Sequence, residues 1–180
     1  MGLIKVHEFI TIDGVIDSPT WTFDYPFDPK MGEAITRLME SSEAILLGRN
    51  TYEMFAQAWP NRTAEDDPGA PFFNDTTKYV ISSTLTDASW QNTTILGGYA
   101  ADSIRALKER TSGNLYVSGS GALVRGLLTD RLVDELHLFV FPLTLGSGKR
   151  LFADGVSTKL RLTETEPYDS GVVHLAYAQQ

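Results

Sequence analysis

A chain of 180 residues, 42% of them hydrophobic, is long enough to bury one full core, and its length fits a single domain over 1–180. It has no cysteine, which excludes disulfides, thiolate metal sites and thiol nucleophiles and suits a reducing compartment such as the cytoplasm. A net charge of -8, with the fifteen Lys and Arg scattered along the chain, argues against a nucleic-acid or anionic-membrane partner.

In chain order, LIKVHEFIT (3–11) is rich in β-formers and predicts a first strand, closed by the turn signal Asp13-Gly14. The N-terminus has no basic region followed by a long apolar stretch, so no signal peptide is expected, and Val6 at the sixth position argues against myristoylation. Residues 15–27 form a loop unusually rich in aromatics, with Trp21, Phe23 and Tyr25 suited to lining a pocket for a flat ligand or to packing on the core. Asp28-Pro29 opens a helix as N-cap and first helical residue, and Met31, Ile35, Leu38 and Met39 keep helical spacing as far as Ser41-Ser42. AILLG (44–48) is continuously apolar and reads as a strand buried on both faces. Gly48-Arg49-Asn50-Thr51 leads into a short helix, YEMFAQAW. PNRTAEDDPGAPF (60–72) reads as a polar loop whose acidic residues face solvent.

KYVISS (78–83) is a strand ending in two hydroxyls, and TTILGG (93–98) a further strand. AADSIRALKER is a helix with Asp102 near its start and Lys108 and Arg110 near its end, as the macrodipole favours. LYVSGSGALVRGLL (115–128) reads as strand, tight turn and helix. ELHLFVF (135–141) is a strand whose continuation, LHLFVFPLTL, is the longest nearly unbroken apolar run and too short to span a bilayer. A Gly-rich loop, LGSGKRLF, and two strands near KLRLTETEPY and GVVHLAYA complete the chain. The pattern predicts an α/β fold with a mostly parallel central sheet, an antiparallel C-terminal edge and flanking helices.

Strand-to-helix turns of a parallel sheet gather at the edge where ligands bind. Three stand out. Gly48-Arg49-x-Thr51 sets a guanidinium and a hydroxyl at a helix N-terminus, where backbone N–H groups favour an anion. Ser82-Ser83 and Gly119-Ser120-Gly121 follow two other strands. The dinucleotide fingerprint Gly-x-Gly-x-x-Gly is missed because Val124 stands at the third glycine. A serine-hydrolase elbow around Ser120 is disfavoured, since Ser118 and Ala122 occupy its glycine positions. His7, His137 and His174 have no metal-ligand spacing to one another, and no metal is expected.

The ordered set TIDGVID, ILLGRNTYE, KYVISS, LYVSGSGALVRGLL and LVDELHLFVFPLTLGSGKRLF resembles the dihydrofolate reductase-like superfamily. It is most similar to the C-terminal reductase domain of bifunctional riboflavin-biosynthesis proteins and their stand-alone relatives. The resemblance covers nearly the whole chain and implies an NADPH-binding α/β fold, often a homodimer, acting on a small-molecule substrate. It implies that Gly48, Arg49 and Thr51 meet cofactor phosphates, that Ser82 and Ser83 lie near the adenosine 2′-phosphate, and that Gly119, Ser120, Gly121, Ala122 and Leu123 form the turn under the pyrophosphate and nicotinamide side. Family activities are dihydrofolate reduction and 5-amino-6-(5-phosphoribosylamino)uracil reduction.

Two departures bear on the substrate. The riboflavin reductases commonly carry a lysine six residues before the Asp-Gly pair and a glutamate before the Gly-Gly turn, where this chain has His7 and Ser118. The expectation is therefore hydride transfer to a pterin-like or pyrimidine-like heterocycle, with a nucleotide-binding module that lacks turnover as the alternative. The resemblance places the proton donor of dihydrofolate reductases at Gly32, leaving Glu33 next to it, or Asp13 beside the cleft, as candidates, with Trp21, Phe23 and Tyr25 as the substrate-facing wall.

Overall fold

The computed structural model describes residues 1–152 and 157–179. The elements follow in the order β1 (Ile4–Thr11), a 3₁₀ helix (Pro19–Asp24), α1 (Pro29–Glu40), β2 (Ser42–Gly48), α2 (Arg49–Ala58), α3 (Ala70–Asp75), β3 (Thr77–Ile81) and β4 (Thr93–Ile95). Then come α4 (Ala101–Arg110), β5 (Asn114–Ser118), α5 (Gly121–Thr129), β6 (Glu135–Phe141), β7 (Leu160–Pro167) and β8 (Val173–Gln179). All eight strands join one sheet in the order β4-β3-β2-β5-β1-β6-β8-β7. The first six positions are parallel, and β8 and β7 complete it antiparallel, as the alternation of elements predicts.

The period-2 geometry of the strands sorts the core into two layers. Ile4, Val6 and Ile10 of β1, Ala44 and Leu46 of β2 and Leu115 and Val117 of β5 face α4 and α5, where Ile104, Leu107, Val124 and Leu127 are fully buried. Ile45, Leu47 and Tyr116 face the opposite layer with Leu38 of α1, Tyr52 of α2 and Phe73 of α3. Covering both faces leaves Ala44–Leu47 buried throughout, which is why that run is apolar without alternation.

At the start of α1, Asp28 accepts a hydrogen bond from Lys30 N–H at 2.9 Å and Pro29 stands at the first helical position, so the cap forms as the sequence implies. Three local differences stand out. The aromatic loop contains the 3₁₀ helix, α2 starts at Arg49 rather than at Tyr52, and α3 begins inside the stretch expected to be a polar loop. A residue of the following strand stabilises α3: Lys78 is fully buried, and its Nζ donates to the carbonyls of Phe73, Asn74 and Thr76 at 2.8, 3.1 and 2.8 Å. These are end-of-helix carbonyls that have no partner within α3.

Candidate functional site

The C-terminal ends of β1, β2, β3 and β5 open into one cleft of about 1550 Å³. That is larger than a typical drug-sized pocket of roughly 300–1,000 Å³ and leaves room for a dinucleotide with a second molecule. Its lining includes Gly48, Arg49, Thr51, Ser82, Ser83 and all five residues from Gly119 to Leu123, so the three turns singled out in the sequence converge on one space.

Their geometry is set by short contacts. Gly119 and Ser120 both adopt left-handed backbone, with φ of 65° and 67°, which aims the chain into α5. A non-glycine residue there is uncommon, and Ser120 is held by its side chain, whose Oγ accepts from the Gly48 N–H at 2.8 Å. This bond ties the N-terminus of α2 to that of α5. A Cβ on Gly48 would lie 3.3 Å from the Ser120 Cβ, so the close approach favours glycine. Neither helix has a side-chain cap, and their first N–H groups stay available at the cleft.

Arg49 crosses between the turns. Its Nε donates to Glu53 at 2.8 Å and an Nη to Thr84 Oγ1 at 2.6 Å, which orients the guanidinium at the cleft rim while leaving it half-exposed. Ser82 is buried and its Oγ accepts from the N–H groups of Thr84 and Leu85, so that hydroxyl shapes the turn. Ser83 beside it is exposed.

The aromatic wall is partly as expected. Phe23 and Tyr25 line the cleft, and Phe23 is strongly exposed. Trp21 does not line it: its ring packs edge-on against Phe141 at 5.2 Å and its Nε1 donates to the Asp17 carbonyl, so it supports the loop from beneath. Phe9 and Phe141 supply aromatic lining that the strand pattern did not single out.

Neither acid expected to donate the proton is among the residues lining the cleft. Glu33 is exposed on α1 and lies outside the cleft lining, because Met31, Ala34 and Leu38 take the inward stripe of that helix. Asp13 accepts from Thr11 Oγ1 at 2.5 Å and from the N–H groups of Leu145 and Gly146. These donors, Thr11 first, hold its carboxyl below the usual range, so it stays ionised and fastens the loop after β6 to the first turn.

The buried acid that faces the cleft is Glu8, whereas Asp17 and Asp67 on the lining are only partly buried. It is 4% exposed, on the same side of β1 as Val6 and Ile10, and no side chain or backbone group among the described residues hydrogen-bonds its carboxyl; Oε1 is fully enclosed. Burial pushes its pKa up to about 8, against the opposing pull of Arg125. Its neighbour His7 faces the other layer, with Nδ1 at 2.9 Å from the Tyr116 hydroxyl. Burial first, then His137 and His174, hold His7 down to about 3, so its ring is neutral near pH 7. Burial likewise raises the Tyr116 phenol. The cleft therefore offers one uncharged carboxylic acid, one neutral imidazole and several N–H donors.

Comparison with known proteins agrees with this architecture. Residues 3–174 match the family described as RibD C-terminal domain. The chain is 27% identical over 175 residues to the uncharacterized protein YyaP of Bacillus subtilis (strain 168), covering 93% of this chain and 90% of YyaP. Its fold superposes with a TM-score of 0.80, at 24% identity, on a Shewanella sp. PV-4 protein provisionally named for riboflavin biosynthesis, covering 100% of this chain and 99% of the other. Dihydrofolate reductase from Enterococcus faecalis, solved with NADP(H), gives a TM-score of 0.61 at 16% identity over 99% of this chain and 97% of the other. With a family match spanning all but the ends of the sequence, on a sheet of the dihydrofolate reductase-like kind, the chain belongs to the RibD C-terminal domain family.

Proposed function

We propose that the chain is an NADPH-dependent reductase that transfers a hydride to a small, flat, pterin-like or pyrimidine-like heterocycle. The observation carrying this reading is the cleft itself, which joins three anion-accepting turns, an aromatic wall and a buried unpartnered carboxyl in one volume. The uncapped N-termini of α2 and α5 and the left-handed turn at Gly119-Ser120 suit a pyrophosphate. Arg49 at the rim, with Ser83 exposed beside it, suits a 2′-phosphate. NADPH, when bound, supplies the hydride. The protein orients the heterocycle between Phe23, Tyr25 and Phe141, and Glu8 in its neutral form delivers the proton.

Calorimetric titration with NADPH, and with NADH beside it, tests the proposal. Tight binding that prefers NADPH is expected, and a folded protein that binds neither would overturn it. Arg49→Ala is expected to weaken NADPH more than NADH, by about 1.5–3 kcal/mol for a lost charged hydrogen bond; equal losses would move Arg49 away from the 2′-phosphate. Ser120→Val forces a β-branched residue into left-handed backbone and removes the acceptor for Gly48 N–H. A roughly tenfold or larger rise in the NADPH dissociation constant is expected, since each lost contact is worth about 1 kcal/mol, and unchanged affinity would separate that turn from the cofactor. A nucleotide-binding module without turnover is favoured only by His7 and Ser118 standing where the riboflavin reductases carry Lys and Glu. NADPH oxidation over a panel of pterins and aminopyrimidines distinguishes the two.

A further inference from the structure

A row of polar side chains runs across the sheet away from the cleft. His7 on β1 is in register with His137 on β6, and His137 Nδ1 lies 3.0 Å from His174 Nε2 on β8. On β7, Glu166 is the cross-strand partner of His174, and Glu164 lies two residues back on the same face. One ligand-capable atom from each of Glu164, Glu166 and His174 lies within 4.8 Å of the other two. We propose that Glu164, Glu166 and His174 form a binding site for a divalent transition-metal cation of the zinc class on the β7–β8 hairpin.

Hydrogen-bond accounting carries the argument. Glu135 is ion-paired with Lys5 at 3.2 Å, and the His137 ring, first among its causes, holds its carboxyl below the usual range, so Glu135 is ionised and can only accept. His137 Nε2, 3.2 Å away, is then the donor to it. In the form that can take a metal, with one proton on each ring, His137 Nδ1 accepts from His174 Nε2–H. The remaining nitrogen, His174 Nδ1, carries a bare lone pair. His174 is 2% exposed, and this Nδ1 is enclosed without any hydrogen-bond partner. The nearby carboxylates cannot donate to it. Three acceptors thus converge, and among the described residues no hydrogen bond links them and no ion pair neutralises Glu164 or Glu166.

A cation satisfies all three at once. The relay behind His174, through His137 to the Glu135 carboxylate, is the outer support that fixes the tautomer of a metal-bound imidazole. An imidazole beside two carboxylates selects zinc-like ions over calcium or magnesium, which take oxygen ligands. Arg37 on α1 is near enough to depress His174 and opposes a cation, but two carboxylates outnumber it. In a tetrahedral zinc site, ligand atoms lie about 3.4 Å apart, a closure within reach of Glu164 and Glu166 on a strand whose side chains are largely exposed. Fewer than four protein ligands leave a coordination position for water.

The test is a calorimetric titration of zinc chloride into the full chain after dialysis against a chelator. One ion per chain is expected, with an affinity roughly tenfold or more lower in the E164Q/E166Q variant and far lower for calcium than for zinc. Both glutamates lie on the edge strand, so the variant tests the site without disturbing the core around His174. Glu8→Gln, in the cleft, is expected to leave zinc binding unchanged. Absence of saturable uptake, uptake that survives E164Q/E166Q, or calcium binding as tight as zinc would each overturn the assignment.

Discussion

Replacing Glu8 by glutamine is expected to lower kcat by about 10²–10⁴-fold, the range for loss of a positioned proton donor, while leaving NADPH affinity within a factor of a few. The carboxyl is in the cleft, unpartnered, and protonated up to about pH 8, whereas the amide keeps its shape but gives up no proton at the reacting atom. The wild-type rate is expected to fall as pH rises through about 8, where the acid ionises, and the glutamine variant to lose that descending limb. A variant that keeps both the rate and the limb would return the proton to solvent. Stability follows the same acid. Below about pH 4.5 Glu8 is protonated in folded and unfolded chains alike and costs nothing by ionisation. Between there and pH 8 only the unfolded chain ionises, so the fold loses stability as pH rises. Glu8→Gln is therefore expected to raise Tm at pH 8.5 relative to wild type, and to do so much less at pH 4.

Lys78→Met is expected to destabilise the fold by about 3–5 kcal/mol, because the Phe73 and Thr76 carbonyls lose their donor at roughly 1–3 kcal/mol for each left dry, while the Asn74 carbonyl keeps a bond from Gln91 Nε2. At this chain length that corresponds to a fall in Tm of about 8–15 °C. The ammonium also sits 4.4 Å from the centre of the Trp90 ring, an attraction that methionine reproduces only in part. A change below about 1 kcal/mol, measured by chemical denaturation, would show that water replaces the ammonium at those carbonyls.

Both residues mark where the sequence stopped being readable. The order of strands and helices, the cap at Asp28 and the doubly buried run at Ala44–Leu47 rest on local pattern, and local pattern was sufficient for them. So did the convergence of the turns at Gly48, Ser82 and Gly119, because a parallel sheet brings such turns to one edge. The short α3 was hidden because its stability comes from Lys78 on the next strand, and six residues show no periodicity. Glu8 was passed over because a charged residue in a β-rich segment reads as solvent-facing. Only the pairing of β1 with both β5 and β6 shows that the strand is central and that Glu8 is enclosed. Asp13 and Trp21 were placed at the ligand by proximity to the turn and by aromatic character. Besides the local partners Thr11 and Asp17, each has a partner more than a hundred residues away in sequence, Gly146 for Asp13 and Phe141 for Trp21. Ser82 was found for its hydroxyl, which in the fold shapes its own turn.

The place of β1 also sets the order in which the molecule can be assembled. It precedes the other strands of the sheet in sequence yet lies in the middle of it, bonded on one side to Leu115–Ser118 and on the other to Glu135–Phe141. Until the chain has been made as far as β5, about two-thirds of the way through these 180 residues, its central strand has neither neighbour available. The earliest pairing open to it is β2 with β3, in the half of the sheet that later forms one wall of the cleft. Long-range pairing of this kind is slow, because the loop must close before the contacts reward it. The floor of the cleft is thus set to form after the β2–β3 half of the sheet.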